Sequence, residues 1–456
     1  AKNAVGASDF GIMTDGTPEA ALSEPNAPGA ATVIEGEAEL SLSWTAVDDA
    51  TCYEVWYNTT TDTSTAIQSG GDINDISHTI TGLTNGITYY VWLKAKNAVG
   101  ASDFGIMTDG TPFDVSLGDI LTYNADGISF NMVYVPGGLF FPKGEYDGST
   151  SVVNNAYCIA ETEVTYELWS IVYEWAVNGT GGAQGEGQYT ISNEGRQGGS
   201  NVTGPVGTAQ HPVTSINWRD SIVWCNALTE WYNAHNGTNY QCVYYIDEDY
   251  QTPIRTSTNE TITTETTKGS QDNPYIKASV NGNTEMNCCI ADGFRLPTSM
   301  EWELAARYRG SDTTNTVQTT INGIDFSCPS NGIFWTNGNS ASNATTYYND
   351  CSASGGNPGR SANNAVAVYN YYWDGMWISQ GTSSTAPVKS KIVNALGLYD
   401  MSGNVEEFCF DLWGTVRIVR GSGWSGYSNY LIIGGFLTRR PYDAYYYNGF
   451  RVSKNH

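Results

Sequence analysis

Residues 1–18, Ala-Lys-Asn-Ala-Val-Gly-Ala-Ser-Asp-Phe-Gly and onward to Pro18, recur without a change as residues 95–112. A verbatim copy at a fixed spacing marks a tandem array of like domains. On this reading 1–18 is the end of a preceding, truncated repeat, 19–112 is one complete unit, and further units are expected upstream. The unit reads as all-β. Glu39-Leu-Ser-Leu-Ser-Trp44 and Cys52-Tyr-Glu-Val-Trp-Tyr57 alternate apolar and polar residues, and His78-Thr-Ile-Thr-Gly-Leu83 and Thr88-Tyr-Tyr-Val-Trp-Leu-Lys-Ala95 continue the series. Turn residues separate these runs at the spacing of a β-sandwich.

The unit resembles a fibronectin type III domain through Trp44, Tyr53, Leu83, Asn85-Gly86, Tyr89, Ala95-Lys96-Asn97 and Gly100. The resemblance places Tyr89 at the family's tyrosine corner and implies a spacer, a stalk without chemistry of its own.

Composition narrows the function. A formal net charge of −26 with only 21 Lys and Arg argues against nucleic acid, because polyanion binding needs cations to displace phosphate counterions. No apolar run is long enough to span a membrane. The nine cysteines show no CxxC spacing, so neither a zinc site nor thioredoxin-type chemistry is indicated, and their odd number excludes a closed set of disulfides.

After a linker at 113–119, a second domain is expected over 120–456. Residues 131–138 read as a strand running into a Gly-Gly turn, 163–177 as a helix, and 218–232 as a second helix with Trp218, Ile222, Cys225 and Leu228 on one side. Asp220 suits the positive end of that helix. The Thr-, Asn- and Gln-rich stretch 246–287 reads as a long surface excursion.

Three blocks follow. In Gly293-Phe-Arg-Leu-Pro-Thr-Ser-Met-Glu-Trp-Glu-Leu-Ala-Ala-Arg307, Thr298 and Glu301 form a capping box ahead of an apolar helix face at Trp302, Ala305 and Ala306. Asn394-Ala-Leu-Gly-Leu-Tyr-Asp-Met-Ser-Gly-Asn-Val-Glu-Glu-Phe408 is a glycine-punctuated loop ending in acids, and Gly449-Phe-Arg-Val452 reads as a short closing strand. Together these blocks resemble the formylglycine-generating enzyme/sulfatase-modifying domain, a member of the C-type lectin fold class. Residues 132–138, Glu163-Val164-Thr165, His211-Pro-Val-Thr-Ser-Ile-Asn-Trp218 and Trp224-Cys225-Asn226 agree with it. The expected fold is multidomain: an all-β fibronectin type III sandwich followed by an α+β C-type lectin-like domain of the formylglycine-generating-enzyme type.

The resemblance carries chemistry that these residues do not. The family's enzymes hold copper through two cysteines after the Arg-Gly-Gly-Ser-type segment. Here that segment is Arg420-Gly-Ser-Gly-Trp424, and Ser425 and Tyr430 stand at the thiolate positions. Copper(I) selects soft thiolates, which neither residue can replace. Relatives that form carbon–sulfur bonds use a histidine-rich iron site, whereas His78, His211, His235 and His456 have no ligand spacing. No catalytic residue and no catalytic cofactor is therefore expected. The resemblance also implies a structural calcium ion held by Asp400, Gly403, Val405 and Glu407, all oxygen donors suited to a hard cation; a hydrogen-bonded loop without metal is the competing reading. The loop departs from the family at Glu406, where tryptophan is usual.

The segment 421–450 departs from what a core strand requires. It gathers Tyr427, Tyr430, Tyr442, Tyr445, Tyr446 and Tyr447 among Gly, Ser and Asn, the composition of loops that recognise by contact. Its layout resembles the variable region of diversity-generating retroelement proteins, in which this stretch is rewritten at adenines on a fixed scaffold. Adenine mutagenesis of Asn codons cannot produce Lys, Glu, Gln, Met or Trp, and residues 425–448 contain none of them. Candidate ligand-binding residues are Ser425, Gly426, Tyr427, Asn429, Tyr430, Arg439, Tyr442, Asp443, Tyr445, Tyr446 and Tyr447; Trp424, Phe450 and Val452 are expected in the core. The function expected is a non-enzymatic, monomeric, surface-displayed, receptor- or adhesin-like protein, extracellular or at the cell surface, that binds a protein or cell-surface ligand. The alternative is a copper-dependent formylglycine-generating oxidase or related enzyme.

Overall fold

Alternation of side chains explains the first unit. In Glu39–Ser43 every second residue is buried, and the same holds at the start of Cys52–Asn58, as a half-buried strand requires. The computed structural model describes residues 23–36, 38–200, 208–261, 267–277, 291–347 and 357–456, with the paired segments Lys2–Asn3 and Gly6–Ala7. Most of the 1–18 repeat, and Cys288, Cys289 and Cys351, lie outside the described residues. The chain divides into two compact units, Ala1–Asp114 and Val115–His456.

In the first unit a three-stranded sheet orders Thr32–Gly36, Glu39–Ser43 and Ser77–Thr81. A four-stranded sheet orders Ile67–Ile73, Cys52–Asn58, Tyr89–Lys96 and Thr108–Gly110. Leu40, Leu42, Trp44, Tyr53, Val55, Val91 and Leu93 fill the space between them, and Trp44 meets Tyr53 edge-on at 5.4 Å. The Tyr89 hydroxyl accepts the Thr84 N–H at 3.0 Å. This is the tyrosine corner, and the unit is a fibronectin type III sandwich.

The second unit is α+β. Its five-stranded antiparallel sheet runs Ile120–Ala125, Ile128–Val135, Tyr157–Ala160, Ser453–Asn455 and Phe294–Arg295. The end of the chain is thus held between strands from the domain's beginning and middle. Residues 449–452 were expected as the closing strand. That strand is instead Ser453–Asn455, while Asn448–Gly449 pairs in parallel with Glu406–Trp413. Phe450 explains the break: its ring plugs the core edge-on to Trp169 and Trp224, which stack on each other at 5.4 Å.

Helix α1, Tyr166–Asn178, is capped by the Thr165 hydroxyl, so Glu163 lies outside it. Helix α2, Trp218–Asn236, begins with a capping box between Asn217 and Asp220. Helix α3, Ser299–Arg307, begins with the Thr298–Glu301 box that the sequence announces. The stretch 246–287 is not a loose excursion where it is described. Ile254, Ser257, Asp272 and Ile276 are buried, because fully buried Arg219 needs a counter-charge and takes it from Asp272 at 2.6 Å.

Acids and arginines from distant blocks knit this unit. Arg295 pairs with Glu301 at 2.7 Å, Arg420 with Glu303 at 2.8 Å, Arg307 with the same Glu303 at 2.8 Å, and Arg451 with Glu407 at 2.6 Å, all buried. Each buried guanidinium demands such a partner. The recurring Glu and Arg of the sequence blocks therefore serve the frame.

Candidate recognition face at the C-terminal segment

The closing segment begins and ends in a four-stranded sheet ordered Leu437–Arg439, Val416–Arg420, Glu406–Trp413 and Asn448–Gly449. Arg420 anchors its start through Ser299, Glu303 and the carbonyls of Ile433 and Gly435. Between the anchors Trp424, Leu431, Ile433 and Phe450 are fully buried. Trp424 and Phe450 thus lie where the sequence puts them, as does Val452.

Tyr427 and Tyr430, by contrast, are exposed, by 36% and 45%. The backbone that carries them is fixed to a hairpin outside the segment: the N–H groups of Asn370 and Tyr371 both donate to the Gly426 carbonyl at 3.1 Å. That hairpin pairs Tyr371–Trp373 with Trp377–Ser379. Tyr371 stacks on Tyr427 at 4.6 Å, and Trp377 meets it edge-on at 5.0 Å. Trp373, Met376 and Trp377 are exposed beside them. Sequence reasoning missed these three residues. The signal was present as Asp374-Gly375 between aromatic runs, a hairpin mark.

Tyr445 and Tyr446 are exposed by 39% and 38%, with Tyr447 half-buried beneath them. Tyr447 stacks on Tyr445 at 5.1 Å and meets Tyr446 edge-on at 5.0 Å, and burial pushes its hydroxyl up to about 12. Their backbone is spent on the frame: the Tyr445 carbonyl accepts from Ser215 and the Tyr447 carbonyl from Glu406. Gly199 lets this strap lie close, since a Cβ there would stand 1.6 Å from the Tyr446 carbonyl oxygen.

Other candidates have inward roles. Arg439 pairs with Glu406 at 2.6 Å and lies over the rings of Tyr447 and Tyr445. It braces the cluster from below and does not present a free charge. Burial raises the Glu406 carboxyl to about 7. The Asp443 carboxylate accepts the Arg440 N–H and closes a turn. Tyr442 lies half-buried against Arg219 and Arg440. Gly426 is half-buried, and its Cβ would strike Ser422 Oγ at 2.4 Å. Ser425 and Asn429 are half-buried.

In the calcium set that the resemblance implies, Glu407 already has a buried partner. Both Glu407 oxygens are held by Arg451, at 2.6 Å each, and one also accepts the Trp302 indole N–H. Asp400 is buried, with Oδ2 accepting the Lys389 N–H and Oδ1 left without a partner. Burial, with Glu407's charge adding, lifts its carboxyl to about 6. Burial also pushes neighbouring Glu163 well up, with Asp400 and Glu407 adding. Arg451 is thus the counter-ion that Glu407 has in this acid cluster. Among the described residues no group of three or more His, Cys, Asp and Glu is arranged to hold a metal.

Cys158, Cys225, Cys242 and Cys409 are buried free thiols, and burial pushes Cys158 up to about 12. His211 is buried and bonds Thr385 at 3.0 Å. Among the described residues no helix is long and apolar enough to cross a membrane.

A mixed α+β domain of the C-type lectin-like class, closed by its own last strand, thus carries a ring-rich face. The sulfatase-modifying factor enzyme 1-like domain family matches residues 125–456, and the chain belongs to that family. Chaperone protein LppX of Paenibacillus barcinonensis is 26% identical over 306 residues, covering 65% of this chain and 79% of that protein. Among solved structures, Treponema denticola variable protein 1 is 22% identical with a TM-score of 0.47, covering 74% of this chain and 99% of that one. PvdO from Pseudomonas aeruginosa is 15% identical with a TM-score of 0.37, covering 75% and 100%.

Proposed function

We propose that the C-terminal domain is a non-enzymatic binding module, displayed outside the cell on a fibronectin-like stalk, whose segment 421–450 recognises a macromolecular ligand. The observation that carries this reading is the exposure of Tyr427, Tyr430, Tyr445 and Tyr446 on a backbone whose neighbouring side chains are buried. Rigid aromatic rings on a fixed backbone supply contact area at low entropic cost. Contact recognition also tolerates replacement of such rings, whereas chemistry demands fixed geometry, so the layout suits a diversified surface. Trp373, Met376 and Trp377 extend the same patch from outside the segment.

Family membership keeps one rival in view, a copper-dependent oxidase. Its donor set does not fit here. By the resemblance, Ser425 and Tyr430 stand at the thiolate positions, and no cysteine follows Cys409 in this sequence, which leaves hard oxygen donors for a soft ion. Two assays separate the readings. A displayed peptide library panned on the chain should yield binders that are lost when Tyr445 and Tyr446 become Ser, with folding retained. Oxygen consumption on a cysteine-containing peptide with added copper should stay at the uncatalysed rate, and measurable turnover would reverse the assignment.

A further inference from the structure

The stretch 429–437, which joins the two tyrosine clusters in sequence, folds beside the Gly144–Glu145 turn and leaves a cleft of about 440 Å³. That volume falls among ordinary ligand pockets. Ile432 and Leu437 give it apolar walls, and the exposed rings of Tyr430 and Phe436 line it as well.

Its polar groups are one-sided. Arg420 lines the cleft, but its guanidinium is fully engaged with Ser299, Glu303 and the carbonyls of Ile433 and Gly435. Two acceptors lack a protein partner. Asn429 Oδ1 is buried without a hydrogen bond, and Glu145 takes no partner among the described residues. A neutral apolar occupant would leave both unsatisfied, with the carboxylate partly desolvated. A cation on an aliphatic stem meets every requirement. Its N–H groups serve Asn429 and Glu145, its charge lies against aromatic rings, and its stem covers the apolar walls. The chain's net charge of −26 draws basic partners toward it.

We infer that this cleft receives an arginine or lysine side chain from a protein ligand. The assignment rests on the recognition-face reading and adds its chemical class. Glu145 lies outside 421–450, so the preference for a basic group is held by the scaffold, whereas Asn429, Tyr430, Phe436 and Leu437 shape the cleft from within the segment.

The test pans a random peptide library on the full chain and compares one selected peptide across four proteins: the unaltered chain, Glu145→Gln, Phe436→Ala, and a chain with Tyr427, Tyr430, Tyr445 and Tyr446 changed to Ser. Glu145 is half-buried and unpartnered, so Glu145→Gln should melt with the parent. Phe436→Ala serves as a second cleft variant. The expected result is enrichment of Arg or Lys among the selected peptides and about five- to tenfold weaker binding to Glu145→Gln at low salt, with the difference shrinking as salt rises. Enriched peptides without basic residues, or equal binding to the Glu145→Gln and parent chains, overturn the cleft assignment. If only the tyrosine variant loses binding, the face stands and the cleft chemistry fails. If no variant loses binding, the recognition reading itself fails.

Discussion

The two ends of helix α3 and the closing segment use polar and aromatic residues in opposite ways. In the motif blocks, Arg295, Glu301, Glu303, Arg307, Arg420, Glu407 and Arg451 are all buried and paired. In the closing segment, four tyrosines that could have filled a core are exposed, above buried Trp424, Leu431 and Ile433. Charge inside and rings outside is the reverse of the usual burial order. The difference teaches that, in this domain, residues resembling an enzyme's signature form an ionic frame, while those with no fold-building role remain for contact.

The comparison is broken most easily through the frame. Glu303 accepts from Arg307, from Arg420 and from the Gly144 N–H, so Glu303→Ala leaves buried Arg420 without a carboxylate and Arg307 with Asp147 alone. The expected loss is about 3–5 kcal/mol of stability, read from urea unfolding. A loss under about 1 kcal/mol would remove the ionic frame from the account.

A smaller effect comes from pH. Burial raises the Glu406 carboxyl from 4.5 to about 7, so between those values the folded protein holds a proton that the unfolded chain releases. Stability from this group is fully present below about 4.5 and is lost as pH rises through about 7, on the order of 3 kcal/mol. Asp400 and Glu163, also raised, act in the same direction. Urea midpoints should fall across that window, and Glu406→Gln should flatten part of the slope. A midpoint that climbs with pH there contradicts the burial assignment.

The smallest expected effect is that of calcium. With Glu407 bound to Arg451, calcium or a chelator should leave the melting temperature unchanged. A calcium-dependent rise of several degrees would show that the cation displaces the arginine and binds the folded state.

Much of this molecule was legible in advance. Alternation gave the sandwich strands around Trp44 and Tyr53. The Thr298–Glu301 spacing gave the start of α3, and aromatic clustering singled out Tyr427, Tyr430, Tyr445 and Tyr446. What stayed hidden depends on partners far apart in sequence. Nothing local to Arg439 reveals that Glu406 waits beneath it, and nothing local to Glu407 reveals Arg451. The 371–379 hairpin carried a local mark at Asp374-Gly375, but its rings gain meaning only when Gly426 accepts its N–H groups. The Thr- and Asn-rich stretch misled because its composition hides Asp272, the single acid that Arg219 needs.

The most direct measurement changes Tyr427, Tyr430, Tyr445 and Tyr446 to Ser together and follows thermal unfolding alongside binding of a peptide selected on the parent chain. The account predicts that the variant still unfolds cooperatively, losing about 0.5–1.5 kcal/mol for each aromatic contact given up, and that peptide binding is lost. A variant that no longer folds, or one that folds and still binds, would contradict it.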